Sequence, residues 1–435
     1  MKCIKILQLA LKYLFRYRRR YLFLFLALTF GFGIVTFITS IKDGMDENVY
    51  NSAQGHYAGD IIAVGYDKDT GPQFHMGKNE MDTVLQIIAD TDINPRRIVM
   101  RTIFGNRGML YYNGSTVRLK YVIGVDWDNE AAYFDSLVYR ERQTVSAGED
   151  TILLSTPVAG ALGARLGDRL VLETETRYGQ SNTGLFVVGG IVEDSTIFGY
   201  YKAYISRPVL NGLLLYGEDE CSIVGISLNE RREAETQKVI VHDALAKKIQ
   251  TGPLVKDRVE LSRKARSSWD GIKIFVITIP AYLSEVSDLL DAMNIITYFL
   301  YGMMLVIILV SALVTYRLIL HERSRELGTM RAIGFYAGDV RHILMMETTG
   351  LGLLSLFAGF ILALFVSALI RLIPFSWLPS FEIFMKDGRL MPLYLPRTVL
   401  INLAAVFCIL LAAVWFPAFR SSRTSLPQML SGGKD

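Results

Sequence analysis

With 435 residues, 51% of them apolar, and a mean hydropathy of +0.30, the chain is too hydrophobic for an ordinary soluble protein yet long enough for several domains. Its net charge of +4 is no argument for nucleic acid as a partner, because the basic residues gather beside apolar runs and are accounted for by membrane topology. Three cysteines, Cys3, Cys221 and Cys408, fall in segments of different character, so no disulfide is expected within the polar part of the chain.

In chain order, residues 1–20 place Ile4, Leu7, Leu11 and Leu14 on one helical face with basic residues elsewhere, which predicts an amphipathic helix along the membrane surface. Residues 21–41 form the first predicted span. Its uncharged core is too long for a cleaved signal peptide and lacks a small-x-small exit, so it reads as an uncleaved anchor.

Residues 42–290 have ordinary polarity and alternating patterns, and are too numerous to be a loop. Gly59 to Asp67 reads as a strand, and Met109 to Gly124 as two alternating runs joined by Asn113-Gly114, whose central positions suit a type I′ hairpin. Ile152 to Glu173 reads as strand, short helix, Gly167-Asp168 turn and strand, and Cys221 to Ile249 as a strand followed by an amphipathic helix. This predicts an α+β domain. His56, His75 and His242 lack metal-ligand spacing and read as solvated or locally bonded side chains; "GPQFHMGKN", "GISLN" and "DWDNE" each miss a defining residue of a nucleotide, nucleophile or calcium motif. The chain is therefore expected not to be an enzyme.

Residues 291–317, 343–373 and 397–419 are the second, third and fourth predicted spans, with a segment at 374–396 between the last two and a tail at 420–435. Basic residues before the first span, between the second and third, and after the fourth place both termini in the cytoplasm and the large domain outside. No span interior carries an ionisable residue, which excludes an ion-coupled carrier or polar pore. Gly31, Gly33, Gly350, Gly352 and Gly359 read as close-packing positions between helices. The fold class is thus an integral membrane protein with four transmembrane α-helices and a large α+β extracytoplasmic domain inserted between the first two.

The segment at 318–342 is longer than a turn requires and has helical character. Leu327, Met330, Arg331 and Gly334 fall at i, i+3, i+4 and i+7, a mixed face suited to docking into another protein's groove.

"ERSRELGTMRAIGF", Glu322 to Phe335, resembles the cytoplasmic coupling helix of ABC-transporter permeases of the FtsX, MacB and lipoprotein-releasing (LolC/LolE-like) type. Glu347 to Leu364 resembles the family's third helix, Pro417 to Leu430 its closing stretch, and "LSTPVAGALGARLGDRLVL" its outer-domain motif. Ser268-Trp269 and "GISLN" after "AYIS" are more similar to the lipoprotein-releasing branch. The resemblance implies a permease of the bacterial inner membrane that transmits mechanical motion from a separate, dimeric cytoplasmic ABC ATPase, which would bind ATP and Mg; this chain would hold no cofactor. It implies Glu322, Arg323, Arg325, Glu326, Leu327, Met330, Arg331 and Gly334 as ATPase-coupling residues. It further implies a second permease copy or a paralogue, and a lipoprotein substrate passed to a periplasmic chaperone. Efflux of drugs or peptides, and regulation of a cell-wall hydrolase, remain open as alternatives.

Overall fold

The computed structural model describes residues 18–68, 73–91, 93–105, 107–142, 150–193, 201–375, 384–386 and 388–422. The surface helix expected in residues 1–20, apart from the three helical residues at its end, and the closing tail lie outside the described residues, as does Cys3. The chain begins with helix α1 (Arg18–Tyr57), then β1 (Ile61–Asp67), β2 (Gln73–Phe74), α2 (Lys78–Asp90), β3 (Pro95–Gly105), β4 (Met109–Tyr112), β5 (Ser115–Arg118), β6 (Tyr121–Val125), α3 (Ala131–Ser136) and β7 (Tyr139–Arg142). There follow β8 (Thr151–Ser155), α4 (Thr156–Leu162), β9 (Arg169–Glu175), β10 (Ser181–Val192), β11 (Lys202–Ser206), α5 (Arg207–Leu214), β12 (Ile223–Leu228), α6 (Ala234–Leu245), α7 (Arg258–Ala265), β13 (Ile272–Thr278) and α8 (Ile279–Tyr282). The last part is helical: α9 (Ser284–Glu322), α10 (Ser324–Ala332), α11 (Ala337–Leu372) and α12 (Pro396–Ser422).

Contacts divide the chain into a membrane unit (Met1–Asp46, Leu290–Trp377, Gly388–Asp435) and a sheet unit (Glu47–Leu289, Leu378–Asp387). The membrane unit holds the four apolar helices expected from the sequence, long enough to cross a bilayer. Leu24, Leu28 and Phe32 recur every four residues on α1 and bury against Ile308, Ala312 and Tyr316 of α9, Leu351 of α11 and Leu410 of α12. Phe23 and Phe30, off that stripe, are exposed to whatever surrounds the bundle. Gly33 and Gly359 meet where α1 passes α11: a Cβ on Gly33 would lie 3.1 Å from the Gly359 carbonyl oxygen, and one on Gly359 2.7 Å from that of Thr29. Gly350, expected to pack likewise, has nothing within 4 Å of its Cβ position.

The sheet unit is the predicted α+β domain. Its strands run in the order β13-β1-β12-β3-β6-β11-β8-β10-β9-β4-β5 in one mixed sheet; β11 is parallel to β6 and β10 to β8, and the other pairs on that path are antiparallel. The β4–β5 hairpin turns at Asn113 and Gly114, both with positive φ, as the sequence demands. At one end, α2 and α6 cover Ile61, Ala63, Val224, Ile226, Ile274 and Val276; at the other, α4 and α5 cover Leu154, Leu170, Phe186 and Ile205. Every residue of β12 is buried, in keeping with a central strand covered on both faces.

Two histidines differ from expectation. His56 and His75 are buried and bonded to residues distant in sequence, where polarity of the surrounding segment suggested solvated side chains. His56 meets Lys202, and His75 lies 3.3 Å from Asp67 and 3.0 Å from Glu220, both of which Arg177 also approaches. A buried imidazole must find partners across the fold, and here acidic and basic residues from separate strands and turns supply them.

Candidate coupling segment

The segment from His321 to Tyr336 folds as the short helix α10 between the ends of α9 and α11. Glu326 in its first turn and Arg331 in its last complement the helix dipole. Gly334, at φ +109°, turns the chain out of the helix in a conformation that side-chain-bearing residues rarely adopt. Tyr336 then caps α11: its backbone N–H donates to Asp339 Oδ2 at 3.2 Å, in a reciprocal capping arrangement.

What holds α10 in place is a buried charge cluster. Arg323 is fully buried and donates from Nη1 to Glu347 Oε2 at 2.6 Å and to the Tyr21 hydroxyl at 2.9 Å; Tyr21 in turn donates to Glu347 Oε2 at 2.9 Å. Tyr21, Arg323 and Glu347 come from the start of α1, the α9–α10 junction and the third turn of α11, so one ion pair fixes three elements. Glu326 adds a looser contact to Arg323 Nε at 3.4 Å.

The eight residues named from the sequence separate into two groups. Glu322, Arg325 and Gly334 are exposed, and Glu326, Met330 and Arg331 are partly so. Arg323 and Leu327 are buried within the membrane unit, Leu327 in the core with Tyr21 and Leu24. The expectation that Leu327 leads an outward docking face is therefore corrected: Leu327 anchors the helix inward, because a lone leucine beside a span is better buried in its own bundle than shown to water. The outward face is instead Glu322, Arg325, Thr329 and Ala332, continued past the helix by Ile333, Phe335 and Tyr336, which are 77%, 41% and 82% exposed. Sequence reasoning overlooked these three; the signal was three large apolar residues clustered around Gly334, outside any span.

Residues 298–426 match the family model described as FtsX-like permease C-terminal. This C-terminal part of the membrane unit is similar to FtsX-like permeases. The coupling segment and α10 lie inside the matched residues, and so do the third and fourth spans and most of the second. Among solved structures, the periplasmic region of MacB from Actinobacillus actinomycetemcomitans is similar at 9% identity and a TM-score of 0.33, over 54% of this chain and 95% of that one. A domain described as part of a permease protein from Porphyromonas gingivalis is similar at 16% identity and a TM-score of 0.29, over 50% of this chain and 86% of that one. No curated protein matches the chain.

Proposed function

We propose that this chain is an FtsX-like permease and works as the transmembrane subunit of an ABC transporter, driven by a separate cytoplasmic ATPase dimer that binds ATP and Mg. The observation that carries the reading is the coupling segment: within the matched residues, a short helix locked to the bundle by Arg323 and Glu347 presents charged and large apolar side chains outward. A rigidly held helix with an exposed apolar end is suited to receive a push and pass it to the spans. Ile333, Phe335 and Tyr336 supply the apolar contact and Glu322 and Arg325 the flanking charges. The spans would carry force in place of cargo, and the substrate would be an amphiphile such as a lipoprotein, handled outside by the sheet unit of two paired permeases.

The test introduces Ile333→Asp and Tyr336→Asp together, leaving the buried Leu327 and Arg323 untouched. A charge forced into an apolar contact costs several kcal/mol, and each ~1.4 kcal/mol is tenfold in affinity, so ATPase binding should fall by about two orders of magnitude or more. Membrane insertion should be unchanged, since both residues are already solvent-exposed. Reversal of the exposed Lys386 serves as control and should leave ATPase copurification intact. Wild-type copurification of the ATPase by the double variant would remove the basis of the reading.

A further inference from the structure

One face of the sheet unit, where β1, β12, β3 and β6 run side by side, bears a partly open cavity of about 90 Å³. Its floor follows from register: Val64 lies opposite Ile223 and Ile103 opposite Ile123, so four branched aliphatic side chains share a face. Its walls are rings packed in pairs. Tyr57 from the end of α1 meets Tyr282 of α8 edge-on, with 4.7 Å between ring centres, and Tyr66 of β1 meets Phe74 of β2 at 5.1 Å. Helix α7 closes one side, and its exposed Ser262 stands at the solvent-facing edge.

The charged and ionisable members of the lining are already engaged within the protein. The His56 imidazole meets Lys202, whose Nζ is 2.7 Å from Nδ1. The Arg258 guanidinium lies over the Tyr282 ring at 5.3 Å and has a further partner in the fold. A ligand anion would have to draw Arg258 from a partner it already has, and a ligand cation would compete for a ring face that already carries a guanidinium. Either charge would also leave water for a surface of aliphatic and aromatic carbon. A water molecule on the floor fares no better, since it needs about two to four polar partners and branched aliphatic groups supply none. An uncharged ring suits both floor and walls. It buries a face on the aliphatic groups and sets its edges against the aromatic pairs, a geometry that gains over the same area of aliphatic contact. The volume is of the order of the ~150 Å³ apolar cavity that holds a benzene ring, and the open side lets a substituent project outward.

We infer that this cavity binds the uncharged aromatic ring of a small molecule, face down on Val64, Ile103, Ile123 and Ile223 and edge-on to the tyrosine and phenylalanine walls. The site is independent of the ATPase reading, since it lies wholly in the sheet unit and needs no nucleotide. The test titrates benzyl alcohol into the full chain in lipid nanodiscs without ATPase, with the isoleucine methyl groups as NMR reporters. Saturable shifts at Ile103, Ile123 and Ile223 are expected, because a ring stacked on them adds its ring current. The exposed Ile307 and Ile361 of the spans should drift only in proportion to the alcohol dissolved in lipid. In competition, cyclohexylmethanol should displace benzyl alcohol about two- to tenfold less well, and benzoate and benzylammonium about tenfold less well or worse. Ser262→Trp, which fills the mouth from an exposed position, should weaken binding about tenfold or more. Should that variant disturb α7, nuclear Overhauser contacts between the benzyl ring protons and the three isoleucine methyls of the wild-type chain decide. No saturable shift at these isoleucines, an aliphatic or charged analogue displacing as well as benzyl alcohol itself, full affinity in a well-folded Ser262→Trp, or Overhauser contacts confined to the spans would each overturn the assignment.

Discussion

Arg323 shows how one residue can carry two roles that composition alone cannot separate. In the sequence it counts among the positive charges beside a span, whereas in the fold it is fully buried and its charge is matched by Glu347. Removing one partner of such a pair strands the other charge, and the cost is typically about 3–5 kcal/mol. Arg323→Met should therefore lower the thermal unfolding temperature of the detergent-solubilised permease sharply, while Arg323→Met combined with Glu347→Gln should recover most of the loss; equal destabilisation by the single and double variants would deny that the pair is coupled. Lys202 is the opposite case, a buried ammonium site whose neighbours are His56 and Tyr121, with no carboxylate in contact among the described residues. Burial pushes its pKa well below the usual lysine value. The sign follows from proton counts. Between the depressed folded value and the unfolded value of about 10.4, the unfolded chain binds the extra proton, so stability is present above that range and is lost as pH falls through it. Lys202→Met should raise the exchange protection of β11 and flatten its dependence on pH over this window; an unchanged slope would show that Lys202 does not titrate on unfolding. Neither partner set was legible beforehand, because which residues from separate elements meet is decided by tertiary packing, not by local pattern.

At the scale of elements, local pattern carried much further. The β4–β5 hairpin, the β8–α4–β9 unit and the β12–α6 pair stand where alternation, Asn113-Gly114 and Gly167 placed them, since turn chemistry and periodicity act over a few residues. The first helix was legible only in part. It continues to Tyr57, well past the uncharged run that ends at Ile41, because Met45, Val49, Ala53 and His56 recur every three or four positions as a buried stripe within a polar sequence. The same periodicity argument misdirected the face of α10: i, i+3, i+4 spacing identifies a face but not which way it points. Glycine roles divide similarly, for a glycine seen in sequence does not reveal whether a helix lies against it. Gly359→Ala should disturb the bundle, since its Cβ would meet the Thr29 carbonyl oxygen at 2.7 Å and backbone cannot easily give way. A cost of about 1–3 kcal/mol is expected for such overpacking. Gly350→Ala, with open space around it, should be neutral or slightly stabilising through helix propensity. Thermal unfolding of both variants distinguishes the two sites, and a neutral Gly359→Ala would mean that α1 and α11 are not in close contact in the membrane.

For the whole molecule, the open question is which side of the membrane each unit faces. Four spans return the chain to the side on which it started, so a single orientation signal fixes everything. That signal comes chiefly from Lys2, Lys5, Lys12, Arg16, Arg18, Arg19 and Arg20 before the first span, reinforced by Arg317, Arg325, Arg331 and Arg341 between the second and third. Arg323 should be left out of this tally in the folded protein, since Glu347 neutralises it. The segment between the third and fourth spans carries Lys386 and Arg389, with Arg371 and Arg397 at the adjoining span ends, and so opposes the signal in part. The prediction is that the amino-terminal cluster prevails, placing the coupling segment in the cytoplasm and the sheet unit outside. A reporter active only outside the cytoplasm tests this, provided its insertion points do not break the fold. Ser181 would be a poor choice, because it is the first residue of β10 and pairs with Glu175 of β9. The hairpin tip between them, at the exposed Tyr178 and at Gly179 with its positive φ, accepts an insertion without removing a ladder bond. A reporter at Gly179 should be active and one after the exposed Gly334 inactive. Neutralising Arg18, Arg19 and Arg20 together should lower the first signal and raise the second in a fraction of molecules. Activity at Gly334 in the unaltered chain would reverse the orientation, and with it the side from which an ATPase could reach Ile333 and Tyr336.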